Sequence, residues 1–153
     1  MATPEERLSE LGLSVPEVAK PVAAYVPALR SGAYIYTSGQ IPVRNGELIA
    51  TGKVGAGVST ELAVECAQQC ALNALAAVSS LVGGLSSVVQ VVKVVVYVAS
   101  SPDFTGQPGV ANGASELFGT VFGDAGQHAR SAVGVAALPM DAPVEVELVV
   151  EVS

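Results

Sequence analysis

Ser87 to Ser100 reads SVVQVVKVVVYVAS, and eight of its fourteen residues are valine. Side chains branched at Cβ are stiff about χ1 and pack well on a pleated surface, so this run is a strand. Valine falls on both of its faces, interrupted only by Gln90 and Lys93. A strand apolar on both sides must be covered on both sides, which predicts a central position in a layered fold. The segments around it supply the layers. Thr3-Pro4-Glu5-Glu6 has the form of a helix start, and Gly12 supplies a stop, giving a short helix over about 3–12. Pro21 to Val43 reads as two strands joined at Ser31-Gly32, followed by an Arg44-Asn45-Gly46-Glu47 turn and a brief pairing segment at 48–50.

Ser59 or Thr60 caps a long helix to Val82, ended by Gly83-Gly84. Its stripe of Ala63, Cys66, Ala67, Cys70, Ala71 and Ala74 lets it lie close on a sheet. A second long helix is predicted over about Val110–Phe122. The chain closes with strands at 131–138 and 144–152, expected to form a hairpin around Pro139-Met140-Asp141-Ala142-Pro143. In the last strand Val144, Val146, Leu148, Val150 and Val152 face one way, and Glu145, Glu147 and Glu151 the other. The expected architecture is one α+β domain, a mixed sheet backed by two helices on one face. Charged residues are only 14% of the chain, against about 25% in ordinary soluble domains. So little charge predicts that another subunit covers the other sheet face.

The net charge is −7, and the seven Lys and Arg residues are scattered rather than clustered. Without a basic stripe to neutralise phosphates, nucleic acid is not an expected partner. The acidic N-terminus MATPEERLSEL has no signal-peptide character, and the apolar run VVKVVVYVA is too short to cross a bilayer. A soluble, cytoplasmic protein with no membrane contact is expected. Cys66 and Cys70, with a single His in the chain, cannot complete a zinc site of Cys and His, and read as buried reduced thiols. No phosphate loop, dinucleotide fingerprint or nucleophile-elbow serine occurs.

One charge stands apart. From Val94 to Ser153, Arg130 is the only Lys or Arg among seven Asp and Glu. Placed just ahead of a strand, an arginine usually makes a surface or structural ion pair. At the rim of an apolar site it instead grips a carboxylate through two parallel hydrogen bonds. Glu145 could hold a water and move its proton, or simply alternate with valine on a half-exposed strand. Tyr25, Tyr34 and Tyr36 read as packing residues, Ser38 as a turn hydroxyl, and His128 as a solvated loop residue. Residue patterns alone leave the function open.

Three stretches carry a resemblance: AAYVPALRSGAYIYTSGQIPV, the Val-rich strand followed by Ser-Pro-Asp-Phe, and ARSAVGVAALPMDAPVEVEL from Ala129. They resemble the RidA/YjgF family of reactive intermediate deaminases, whose members are also described as endoribonuclease L-PSP. The last stretch follows the family pattern Ala-Arg-Ser-x-Val-x-Val-x-x-Leu-Pro-x-x-x-x-Val-Glu-Ile-Glu without a gap, with Val146 in place of Ile.

The resemblance implies a chorismate mutase-like fold assembled as a homotrimer. It also implies hydrolysis of small enamines and imines to 2-oxo acids and ammonia in clefts between subunits, with no cofactor and no metal. By position it implies that Arg130 binds the carboxylate of the substrate and Glu145 holds or activates the water. Tyr25, Ser38 and Ala132 would line the same cleft, with Tyr25 and Ser38 contributed by the neighbouring subunit. The sequence departs from the family at Ala23-Ala24, where Gly-Pro is usual, and at Ala132, often Cys in active members. Asn112 stands at a spacing to Phe118 that does not match the family's Val-Asn-x-x-Tyr. A non-catalytic carboxylate-binding or partner-docking module, and a ribonuclease, are the alternative functions.

Overall fold

The computed structural model describes residues 1–21 and 24–153, so Ala23 of the Ala23-Ala24 departure lies outside the described residues. The first helix, α1 (Pro4–Glu10), is closed by the full capping box: Thr3 Oγ1 accepts from the Glu6 amide while Glu6 accepts from the Thr3 amide. Leu8 is its anchor and is fully buried. Glu5 accepts from the Leu85 amide at 2.7 Å, and Arg7 Nη1 donates to the Val121 carbonyl at 3.1 Å. The helix therefore ties together the ends of two later segments.

Strands β1 (Ala28–Ser31) and β2 (Tyr34–Thr37) form the expected hairpin. Two small pairs follow, β3 (Val43–Arg44) with β4 (Glu47–Leu48), then β5 (Lys53–Val54) with β6 (Gly57–Val58). Asn45 and Gly46, the turn between β3 and β4, both take positive φ, as the Asn-Gly dipeptide predicts. Helix α2 (Thr60–Val82) is capped by Ser59 Oγ and ends at Gly83 in the left-handed region. All six residues of its predicted small-residue stripe are fully buried. The thiols within it are free, and burial pushes Cys66 up to about 11 and Cys70 well above the ordinary thiol value.

The Val-rich strand is β7 (Val88–Ala99), followed by α3 (Gln107–Phe122), β8 (Ala129–Val135) and β9 (Val144–Val152). The main sheet runs β1-β2-β9-β7-β8. This corrects one expectation: β8 and β9 are not a hairpin, because β7 lies between them. Strand β8 runs parallel to β7 through the α3 crossover, while β9 is antiparallel to β7. The proline-rich segment carries the chain past the end of β7, where the Ala99 amide donates to the Pro143 carbonyl. A closed hairpin would have left one edge of the most β-prone strand unpaired.

Several boundaries also move. Helix α3 starts a turn earlier than predicted, since Pro108 sits in its first turn, where the missing amide is no loss. Strand β8 begins at Ala129, so Arg130 lies within it rather than ahead of it.

Val91, Val94, Val96 and Val98 of β7 are buried with Val144, Val146, Leu148 and Val150 of β9, on the side packed by α2 and α3. The opposite side stays open within one chain, so the expected cover on both faces of β7 is not supplied by the chain itself. Leu29, Tyr36 and Val133 there are 61%, 48% and 44% exposed. Among the described residues no helix is long and apolar enough to cross a membrane.

Candidate functional site

Arg130 is paired in register with Val94, and Ala132 with Val96, so both side chains lie on the helix-packed side of the sheet. The arginine reaches α3, where Nη1 donates to Asn112 Oδ1 at 2.8 Å and to Ser115 Oγ at 3.2 Å. Among the described residues the ion pairs are Arg44 with Glu65 and Lys53 with Asp141, and none involves Arg130. The ordinary reading, a structural ion pair, therefore does not hold. Neutral oxygens steer the guanidinium and leave its charge uncompensated. Ala132, two residues on, is half-buried against the core and presents only a methyl.

His128 corrects another expectation. It is half-buried rather than solvated, its ring edge-on to Phe118 at 5.9 Å. Nδ1 lies 2.6 Å from the Gly126 carbonyl and Nε2 2.8 Å from Ser115 Oγ. Asn112, which the family spacing did not match, sits on Arg130 all the same. Ser115 carried no expectation at all. The available signal was that Asn112 and Ser115, three apart, share one face of their helix.

Glu145 lies across the sheet. Its register partner on β7 is Tyr97, and the same open side carries Val95 opposite Glu147. The carboxyl rests on Gly39: a Cβ built there would stand 2.4 Å from Glu145 Oε2 and 3.0 Å from its Cγ. This explains the glycine of Thr37-Ser38-Gly39-Gln40, held to β9 by mutual amide–carbonyl bonds between Gln40 and Val146. Partial burial, and then the neighbouring Glu147, raise the Glu145 pKa above its ordinary value. Tyr97 donates its hydroxyl to Glu147, and that bond, helped by desolvation, pushes the phenol up to about 12.

A carboxyl with a raised native pKa holds its proton more tightly folded than unfolded. Its contribution to stability is complete below the ordinary carboxylate range and is lost as pH rises through the raised native value. Glu145→Gln removes that loss. The variant is expected to gain in melting temperature over the wild type on the alkaline side of this window and not on the acid side. A difference that is constant across pH would exclude Glu145 as the titrating group.

Ser38 Oγ donates to the Val26 carbonyl at 2.6 Å and its amide to Pro27 at 2.8 Å, which ties the strand end to the segment bearing the exposed Tyr25. Its hydroxyl thus links the end of β2 to the segment ahead of β1 in the single chain, twelve residues away, rather than closing a local turn. Register sets Arg130 and Ala132 on one side of the sheet and Glu145 on the other. The predicted pair of functional groups is not brought together within one chain.

A cavity of 610 Å³ lies elsewhere, between residues 12–19, the β3–β4 turn and α2. It is lined by a polar chain that the sequence did not reveal. Arg44 Nε donates to Gln69 Oε1, Gln69 to Asn73 Oδ1, and Asn73 Nδ2 to the Ile41 and Val43 carbonyls.

The fold and these positions define an α+β protein in which an oriented guanidinium and a carboxyl of raised pKa lie on opposite faces of one sheet. The chain belongs to the endoribonuclease L-PSP family, which is the RidA/YjgF family, and the family model matches residues 16–152. Helix α1 lies ahead of that span. Protein TCP17 of Trypanosoma cruzi is 43% identical over 147 residues, covering 95% of this chain and 92% of the relative. A 2-iminobutanoate/2-iminopropanoate deaminase of Dermatophagoides farinae is 34% identical over 140 residues, covering 90% and 93%. A crystal structure of a protein of unknown function from Agrobacterium tumefaciens superposes with a TM-score of 0.91 at 44% identity, covering 98% of this chain and 92% of that one.

Proposed function

We propose that this protein hydrolyses small 2-imino acids to 2-oxo acids and ammonia, in clefts built between copies of the chain in a homotrimer. The observation that carries the reading is the Arg130 guanidinium, charged, half-buried, steered by Asn112 and Ser115, and facing no carboxylate of its own chain among the described residues. A carboxylate-bearing substrate would supply the missing counter-charge. Glu145 of another copy would take a proton from water as the oxygen attacks the carbon of the protonated imine, forming a neutral carbinolamine. It would return that proton to nitrogen and accept the carbinolamine hydroxyl proton as the C–N bond breaks, leaving the 2-oxo acid and ammonia. A raised pKa suits a group asked both to accept and to donate.

The open apolar side of the sheet supports assembly from several copies, since so much exposed apolar surface is unusual on a monomer. Tyr25 and Ser38, on the Glu145 side of the cleft, and Ala132, beside Arg130, complete the proposed lining. The relative named as an imine deaminase supports the substrate class. A ribonuclease reading lacks that support, because seven dispersed basic residues under a net charge of −7 offer no phosphate track.

The test is an imine-generating amino-acid oxidase coupled to this protein, with 2-oxo acid formation followed in time. Release faster than buffer alone is expected in the wild type. No acceleration, or full activity in Arg130→Ala, overturns the proposal. Binding of 2-oxo acids without turnover would instead assign the pocket to a non-catalytic module.

A further inference from the structure

The three groups behind Arg130 admit one consistent arrangement of protons when the imidazole is neutral. The Gly126 carbonyl can only accept, so the His128 nitrogen 2.6 Å from it, Nδ1, carries the ring proton. Nε2 is then a bare acceptor, and Ser115 Oγ, 2.8 Å away, donates its hydrogen to it. With its hydrogen committed, the serine presents only lone pairs toward Arg130 Nη1 at 3.2 Å, and a guanidinium only donates. Asn112 Oδ1 holds the same nitrogen from one helical turn earlier. Phe118 fixes the plane of the ring that starts the series.

We propose that His128 and Ser115 are positioning residues for Arg130, the histidine acting through the serine hydroxyl. By fixing the direction of the Ser115 hydrogen, His128 turns a freely rotating hydroxyl into a dedicated acceptor. Together with Asn112 that acceptor occupies Nη1, leaving the Nε and Nη2 edge of the guanidinium as the fork for a carboxylate. Neither residue touches substrate. The consequence for substrate binding rests on the imine hydrolase reading, whereas the proton arrangement does not.

Two sets of measurements separate these. In the first, nitrogen NMR of the wild type with its imidazole in the neutral form should show His128 protonated at Nδ1, the less common tautomer. Nitrogen relaxation should show an Arg130 guanidinium that is ordered and becomes mobile in Ser115→Ala. A neutral ring protonated at Nε2 overturns the proposal, as does an Arg130 equally mobile in both proteins.

In the second set, His128→Phe keeps a ring against Phe118 but deletes both nitrogens. It is expected to raise KM for a 2-imino acid, and to weaken 2-oxobutanoate binding by calorimetry, by ~3–10-fold, with kcat little changed. His128→Gln, which restores an acceptor toward Ser115, should recover most of the loss. In the Ser115→Ala background His128→Phe should add nothing further, because its route to Arg130 is already cut. A further drop there, or a fall in kcat alone, marks a merely structural histidine and overturns the proposal. If the wild type neither turns over imines nor binds 2-oxobutanoate while the NMR results hold, the functional reading fails and the positioning series stands.

Discussion

Under the proposed function, Arg130→Lys is expected to lower kcat/KM for 2-imino acid hydrolysis by about 30-fold, and Arg130→Ala by about 100- to 1,000-fold, both chiefly through KM. Lysine keeps the charge but replaces a planar fork by a point donor on a flexible stem. At least one of two parallel charge-assisted hydrogen bonds is lost, each worth roughly 1.5–3 kcal/mol. Alanine removes both bonds and the charge. Thermal unfolding should move little in either variant, because Arg130 makes two hydrogen bonds to neutral groups and, among the described residues, no ion pair. Steady-state kinetics beside a melting curve separates the two effects. An unchanged KM in Arg130→Ala would mean that the carboxylate is held elsewhere.

The largest stability effect is expected at Gly113, where α3 crosses α2. A Cβ there would stand 2.2 Å from the Val64 carbonyl oxygen and 3.2 Å from the Ala67 Cβ. Nothing flexible can yield, since the first obstacle is backbone. Alanine in an exposed helix interior would gain up to about 1 kcal/mol over glycine. Here the helices must separate instead, and Gly113→Ala should lose about 3 kcal/mol in urea unfolding. Gly119, on the same helix with open space around it, is the control. Gly119→Ala should be neutral or stabilising. Equal effects at both positions would show that helix propensity, not close approach, governs this pair.

Elements whose side chains alternate or repeat within their own segment were readable from the sequence. The α1 capping box, the small-residue face of α2 and the inward valines of β9 all depend on residues at most four apart. Pairing was not readable, because it is decided between segments. The Pro139–Pro143 turn looks the same whether it closes a hairpin or carries the chain past a third strand. Only the capacity of β7 to bond on both edges distinguishes the two.

The same limit applied at the site. Arg130 stood out by charge, and Arg130 and Glu145 together matched a family pattern. That they lie on opposite faces follows from register with β7, which no local pattern encodes. His128 was misread because its partners, Ser115 and Phe118, are thirteen and ten residues away in sequence and meet it only once α3 lies over β8.

The placement of Arg130 and Glu145 on opposite faces has a genetic corollary under the proposed assembly. A polypeptide damaged at one position still carries the other half of a cleft in working order. Two null alleles, one at each position, can therefore rescue each other when co-expressed, whereas two different nulls at the same position cannot.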